Sequence, residues 1–531
     1  MNQEEHASRK SWLLITGLII AMVFSALDST IVNTAMPRIV GELGGLGVMA
    51  WLTTAYLLSS TAVVPIAGKL ADLVGRRTVY VTGLLIFIIG SALCGTSQTM
   101  TQLIWYRALQ GIGGGIMMPM AMIIIGDLFT GKQRATWQGI FGALFGLSSV
   151  IGPQIGGWIV DAANWRWVFY INLPVGMIAT ILIAIGVQNH RAPGSGKFDI
   201  AGMLTMIIGV VSLLLGLTFG GKDYAWASWQ IIGLFILAAV SLLAFIRIDS
   251  KAEEAILPMR LFKNKTFSVI NGIGFLMSVG MFGAMMFVPL FMQGVIGVSA
   301  SQSGTIMTPM MITMIAASII GGRLVLRIGV KSQLLFGMAI MAGGFLLLTT
   351  MGMDTGRLVA SFYMMIVGLG MGLVMPLLTL ALQENFPKSE LGVVTSSSQF
   401  FRSIGGTFGI TILGAVMNHQ SERLLSDNLT PILNELPAAS GGTTAQIADM
   451  IHTNPQGLYS MLLNPETLAQ FPQQLLSSIV PVMKSALVSS LHSVFWLSFA
   501  FVVAGAAIAL LLGKIKLSER KAEHGEAQVA G

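Results

Sequence analysis

A chain of 531 residues in which 54% are hydrophobic and only 10% are charged is too apolar for a soluble globular protein. Its formal net charge of +7 comes from cations scattered through short connections, which excludes a nucleic-acid-binding patch. Cys94 is the one cysteine and sits in an apolar stretch, so no intramolecular disulfide or thiolate metal cluster can form.

The cations Arg9 and Lys10 precede an apolar stretch that opens at Trp12 and imitates a secretory signal. No small-residue cleavage pattern follows, and Asp28 interrupts the run, so an uncleaved first span is expected. Allowing about 20 residues per crossing, the chain divides into about fourteen spans. They cover 12–34, 49–68, 79–97, 102–125, 137–160, 168–188, 199–219, 229–248, 267–292, 301–322, 333–352, 358–381, 391–417 and 486–513. An even number puts both termini on one side. About 22 Lys and Arg fall on that side against about 6 on the other, which makes it cytoplasmic. The loop 249–266, with Lys251, Arg260, Lys263 and Lys265, is the most basic internal connection. The polar stretch 418–485 is expected as a long outer loop. Its part from Leu468 to Met483 spaces apolar residues at helical intervals, and is either a set of short amphipathic helices or a flexible loop. Trp165 and Trp167, flanking Arg166, mark an aromatic belt at an outer helix boundary.

The chain repeats itself. GKLADLVGRRT from Gly68 to Thr78 answers GRLVLRIGVKS from Gly322 to Ser332. GIMMP at Gly115 answers GLVMP at Gly372, and IGPQIG at Ile151 answers IGGTFG at Ile404. An offset of roughly 255 residues in all three pairs indicates two duplicated halves in parallel orientation. The spans at 199–219 and 229–248 have no counterparts. The fold class is therefore an all-α polytopic membrane protein of six plus two plus six helices. Its parts are a first bundle at 1–190, two linker helices and a loop at 191–266, a second bundle at 267–517 that includes the loop 418–485, and a tail at 518–531. The linker pair carries no ionisable residue deep in either span and is expected to stay out of the central cavity.

Charges inside hydrocarbon are costly and need a reason. Three lie away from span ends: Asp28, Arg107 and Arg402. Asp28 and Arg107 sit at similar depths in the first and fourth spans, so an ion pair between them is geometrically open. Burial favours the neutral form of a carboxylate and a nearby arginine favours the charged form, and that balance makes a switchable proton site. A static structural pair is the alternative. Arg402 shares a helix face with Gln399, as a polar wall of the cavity or as a partner of backbone carbonyls near Gly405 and Gly406. Asn33, Tyr56, Gln110, Gln399 and Arg402 are the expected cavity residues. The second half has Leu326 where Asp72 stands and Met364 where Arg107 stands, so ion coupling is assigned to the first half. The methionine pairs 117–118, 285–286 and 310–311 are either a soft wall for varied ligands or packing filler. No P-loop, H-E-x-x-H or G-x-S-x-G occurs and the histidines are scattered, so neither an enzyme nor a metal site is expected.

Five motifs together resemble one family: LDSTIVNTAMP, GKLADLVGRRT, the fourth-span R-x-x-Q-G-x-G-G-G, the fifth-span G-P-x-x-G-G, and WRWVFYINLP. They resemble the fourteen-helix drug:proton antiporters of the EmrB/QacA type, within the major facilitator superfamily. The resemblance implies two bundles rocking around a central cavity in the cell membrane of a bacterium, with both termini cytoplasmic. It implies a proton gradient as energy source, no cofactor, and small-molecule substrates together with protons as partners. A monomer is expected, with an accessory export subunit as an optional partner. Asp28 and Arg107 would couple protons. Gly68, Asp72, Gly75, Arg76 and Arg77 would form a cytoplasmic gating loop, and Gly146, Gly152, Pro153 and Gly156 the antiporter hinge. No acidic residue lies within the spans from 267 onward, because Glu384 and Glu390 fall at a boundary. A preference for dications is therefore not expected, and neutral, weakly cationic or zwitterionic amphiphiles are. A dedicated exporter of one metabolite, lipid or siderophore is the alternative. A sensor or scaffold would have no use for Asp28 and Arg107.

Overall fold

The computed structural model describes residues 2–44, 48–49, 51–187, 199–221, 223–298, 300–435, 448–451, 458–459, 462, 473–513 and 515. Within these ranges the side chains of 2–11 and of some further positions, Asn33 and Pro153 among them, lie outside the description.

The first six expected spans appear as α1 (Asn2–Leu43), α2 (Trp51–Val74), α3 (Arg76–Thr96), α4 (Met100–Leu128), α5 (Gly131–Ala162), the single turn α6 (Trp167–Tyr170) and α7 (Asn172–Gly186). The middle pair is α8 (Ile200–Phe219) and α9 (Trp229–Asp249), followed by the short α10 (Arg260–Lys263). The second set comprises α11 (Lys265–Gly294), α12 (Ala300–Ile328), α13 (Val330–Leu348), α14 (Arg357–Asn385), α15 (Leu391–Glu435) and α16 (Gln473–Leu510). Thirteen helical segments among the described residues are long and apolar enough to cross a membrane, with α6 and α7 together forming one. The fourteenth expected span is α5, which is rich in glycine and glutamine but runs unbroken through the bundle. Ile232, Ile236, Val240 and Leu243 of α9 are exposed, as a lipid-facing surface requires.

Local chemistry sets the helix ends. Gly75 (φ 105°) separates α2 from α3, and Gly329 (φ 80°) separates α12 from α13. Both take a left-handed conformation open to glycine, at equivalent places in the two halves. Side-chain caps start other helices: Thr99 accepts from Gln102 N at 3.2 Å, and Asp199 accepts from Gly202 N at 2.8 Å.

The repeat is visible in the packing. A Cβ on Gly113 of α4 would stand 2.6 Å from the Gly83 carbonyl of α3, and one on Gly370 of α14 would stand 2.8 Å from the Gly337 carbonyl of α13. Small residues thus bring the same two helices together in each half. The halves meet through α2 against α15 and α5 against α12. Helix α8 packs on α2 and α15, and α9 packs on α8.

Three expectations change. The stretch 418–485 is not loop throughout, because α15 reaches Glu435 and α16 begins at Gln473. Met483 therefore lies inside a long helix, while 468–472 falls outside the described residues. Trp165 is not a belt residue. It is buried, meets Phe169 edge-on with ring centroids 6.2 Å apart, and donates from Nε1 to Glu42 at 2.7 Å. Trp167 is the exposed one. Helix α8 also walls a cavity where the two bundles meet.

Candidate functional site

Asp28 of α1 and Arg107 of α4 are brought together. Arg107 Nη1 lies 2.7 Å from Asp28 Oδ2, and both side chains are almost wholly enclosed. Gln110, one turn along α4, donates to Asp28 Oδ1 at 2.9 Å, and Asn172 Nδ2 at the start of α7 donates to the same oxygen at 2.8 Å. Ser91 of α3 accepts from Gln110 at 2.6 Å and from Asn172 at 3.2 Å. Arg107 also donates to Gln110 Oε1 at 2.6 Å and, from Nε, to the Leu52 carbonyl at 3.3 Å. Its guanidinium stands 4.3 Å from the ring centre of Tyr56.

This arrangement is built for a carboxylate. Both oxygens of Asp28 accept, and every group facing them is a donor. Removing one partner from such a buried pair typically costs about 3–5 kcal/mol, because the remaining charge is left in a poor solvent. Five helices of the first bundle converge on the cluster. Met364, in the position equivalent to Arg107, is buried among apolar neighbours.

A second cluster occupies the end of the bundles that carries the Gly68–Thr78 turn. Asp72 Oδ2 accepts from Val393 N at the start of α15 at 3.2 Å. Arg76 Nη1 lies 2.7 Å from Asp72 Oδ1 as an ion pair, while its hydrogen bond goes to the Ala71 carbonyl at 2.7 Å. Arg76 Nε also pairs with Asp127 at 3.0 Å. Gly68 packs directly on α15, where a Cβ would stand 2.5 Å from the Gly392 carbonyl. Gly75 supplies the turn, and Arg77 is exposed. Lys69 pairs with Glu254 of the 249–266 loop at 2.6 Å.

On the other side of the same end, Arg134 of α5 pairs with Glu384 of α14 at 2.8 Å and donates to the Gln383 carbonyl at 2.8 Å. It also caps the end of α4 through the Phe129 carbonyl at 2.9 Å and the Gly126 carbonyl. The two halves are therefore joined here by ion pairs, carbonyl caps and glycine contacts.

The remaining expected residues are dispersed. Gly146 packs on Met314 and Ile315 of α12, whereas Gly152 and Gly156 pack on Thr30 and Ile31 of α1. The glycine frame of α5 thus faces two different helices. Pro153 and Asn33 lie outside the described side chains. Arg402 donates to Gln399 Oε1 at 2.5 Å and to the Met375 carbonyl at 3.4 Å, with no carboxylate within ion-pair reach among the described residues. Tyr56 and Gln110, expected in a substrate cavity, lie in the Asp28 cluster.

Sequence reasoning missed Ser91, Asn172, Arg134 and the partners Asp127 and Glu254. Asn172 carried a signal, as a lone amide in WRWVFYINLP where a span begins. Among the described residues no group of His, Cys, Asp and Glu is arranged to hold a metal.

A sequence profile described as Major Facilitator Superfamily matches residues 18–199 and 188–410. The chain is 66% identical over 523 residues to "Multidrug transporter protein MdtP" of Bacillus subtilis (strain 168), covering 98% of this chain and 96% of that protein. It is 38% identical over 504 residues to "Multidrug resistance protein 3" of the same organism, covering 95% of each. Among solved structures, the proton:xylose symporter XylE superposes with a TM-score of 0.60 at 12% identity, covering 94% of this chain and 95% of that one, a likeness of fold alone.

Proposed function

The chain belongs to the Major Facilitator Superfamily, and from that premise we propose that it exports hydrophobic and amphiphilic toxic compounds in exchange for protons. It is a multi-pass membrane transporter and not an enzyme. The observation that carries the coupling proposal is the enclosed Asp28 with its three donors. Transport against a gradient without ATP needs a site whose charge differs between the two access states. Here Arg107, Gln110 and Asn172 each donate a hydrogen bond to Asp28, the arrangement a carboxylate can use. Protonation removes the charge that Arg107 faces, leaving Arg107 to Gln110 and the Leu52 carbonyl and loosening α4 from α1 and α7.

We place the basic end in the cytoplasm, following the charge bias of the connections. The Asp72, Arg76 and Arg134 contacts then close the cytoplasmic side, and this structure is the state sealed toward the cell interior. Coupling requires that the cluster and these contacts alternate. Within the described residues, the acidic groups of α11–α15 lie toward helix ends, Glu384 at the basic end and Glu422 and Asp427 in the far part of α15. That supports neutral or weakly cationic substrates over dications.

The test is substrate-induced proton release from purified protein, with a panel of lipophilic antibiotics and dyes, in wild type and Asp28→Asn. Wild type should release protons and the variant should not, while both reach the membrane. An Asp28→Asn protein that releases protons and exports normally would make Asp28 structural.

A further inference from the structure

Where α2, α8, α11 and α15 meet there is a cavity of about 300 Å³, at the low end of the size range for small-molecule sites. We propose that it binds a neutral amphiphile bearing a hydrogen-bond donor, and that the unrepeated helix α8 is present to wall it. This deepens the reading of the chain as an exporter of amphiphiles and rests on it.

The lining decides the ligand class. Among the described residues no Asp, Glu, Lys, Arg or His contributes to it, and an ionic ligand would lose its hydration without gaining a counter-charge from them. The polar groups among the described residues are Thr54, Thr218, Thr407, Thr411, Asn418 and the indole N–H of Trp226. Three of these hydroxyls donate to backbone carbonyls: Thr218 to Leu214 at 2.7 Å, Thr407 to Ser403 at 3.3 Å and Thr411 to Leu217 at 3.2 Å. They have lone pairs left and no proton to offer. Asn418 Oδ1 is buried and accepts no hydrogen bond. The three committed hydroxyls and the unpartnered Asn418 Oδ1 therefore offer acceptors, and a ligand that matches them brings an N–H or O–H on an apolar body.

The linker helices are fitted to this cavity. Trp226, on the α8–α9 connection, forms part of the wall. Its ring lies against the Gly220–Gly221 turn, where a Cβ on Gly220 would stand 2.5 Å from it, and stacks on Phe235 of α9 at 6.4 Å and 4°. One linker helix thus lines the cavity and the other braces its aromatic face. The opposite walls belong to α2 of the first bundle and to α11 and α15 of the second, so a movement between bundles reshapes the site. Gly414 of α15 opens onto free space, since a Cβ there meets nothing within 4 Å.

N-phenyl-1-naphthylamine is uncharged at neutral pH, carries one N–H, and fluoresces in apolar surroundings. Saturable binding to the full-length protein in nanodiscs is expected. Gly414→Leu fills the opening while favouring the helix, and should weaken binding about tenfold, a loss of about 1.4 kcal/mol, with an unchanged melting temperature. Trp226→Ala, at a half-exposed position, should weaken it as well. Tetraphenylphosphonium, a permanent cation, should not displace the probe. Binding that survives both substitutions, or displacement by the cation, would overturn the proposal. Phospholipid retained by wild type and lost from Gly414→Leu in native mass spectrometry would also overturn it, by giving the cavity to lipid. Failure of substrate-linked proton release in wild type would sink the export reading and leave this binding result standing.

Discussion

Gly68→Ala adds one methyl group at a close contact between the two halves. Its Cβ would stand 2.5 Å from the Gly392 carbonyl oxygen and run into the Ser396 hydroxyl. The hydroxyl can turn away, but the carbonyl belongs to the backbone of α15, so the helices must separate. Overpacking of this kind costs about 1–3 kcal/mol. The gain in helix propensity, about 1 kcal/mol, is the same in both access states and cancels from their ratio. The cost falls only on the state in which α2 touches α15 here, which shifts the closed-to-open ratio at this end by about 5- to 150-fold. Nitroxides at the exposed positions Arg77 and Ser389, in a Cys94→Ala background, report the separation across the contact by double electron–electron resonance. The expected result is growth of a longer distance at the expense of the short one. Gly343→Ala in α13, whose Cβ would meet nothing within 4 Å, should leave the distribution alone. An unchanged distribution in Gly68→Ala would refute the claim that this contact holds the basic end shut.

Helices, repeat and topology class were legible because membrane burial leaves a direct trace. Apolar length marks a span, and a duplicated fold keeps glycines at equivalent close approaches, as Gly113 and Gly370 do. Asp28 and Arg107 were legible for a related reason, since a charge in hydrocarbon stands out against its surroundings. Asn172 and Ser91 did not stand out, because small neutral polar residues are common in spans and their role depends on which helices face each other. Arg134 was hidden by its place near a span end, where an arginine reads as a positive-inside charge. Only the approach of α14 turns it into a cross-bundle link. The contacts of Tyr56 and Gln110 with Arg107 and Asp28 were not legible, since sequence gives a residue's depth and not the neighbour across the interface. The ends of α15 and α16 were misjudged because their outer turns are polar, and tertiary packing continues a helix where hydropathy ends.

Two further expectations concern charges at opposite ends of the molecule. Hydrogen bonds from Arg166 first, and from Trp165 second, hold the Glu42 carboxyl below its ordinary value near 4.5. A group lowered in the folded state stabilises above its unfolded value and loses that contribution as pH falls through the folded one, so the melting-temperature gap between wild type and Glu42→Gln should be open at pH 7 and shrink below about pH 4.5. A gap independent of pH would show that the Arg166 contact contributes nothing. At the basic end, Arg134 and Glu384 are both almost fully enclosed and lie in different halves of the duplicated chain. Arg134→Leu takes the guanidinium from Glu384 and from the carbonyls of Gly126, Phe129 and Gln383 at once. The loss expected is about 3–5 kcal/mol. Much of that belongs to the carbonyl caps, so the single variant cannot isolate the ion pair. A cycle with Glu384→Leu can, because the caps are lost equally with and without the carboxylate. The coupling expected is about 1–3 kcal/mol, read from unfolding and from the same spin-label distances, which should lengthen in either single variant. A coupling of zero would mean that the Glu384 carboxylate adds nothing to the hold that Arg134 has on the Gln383 carbonyl.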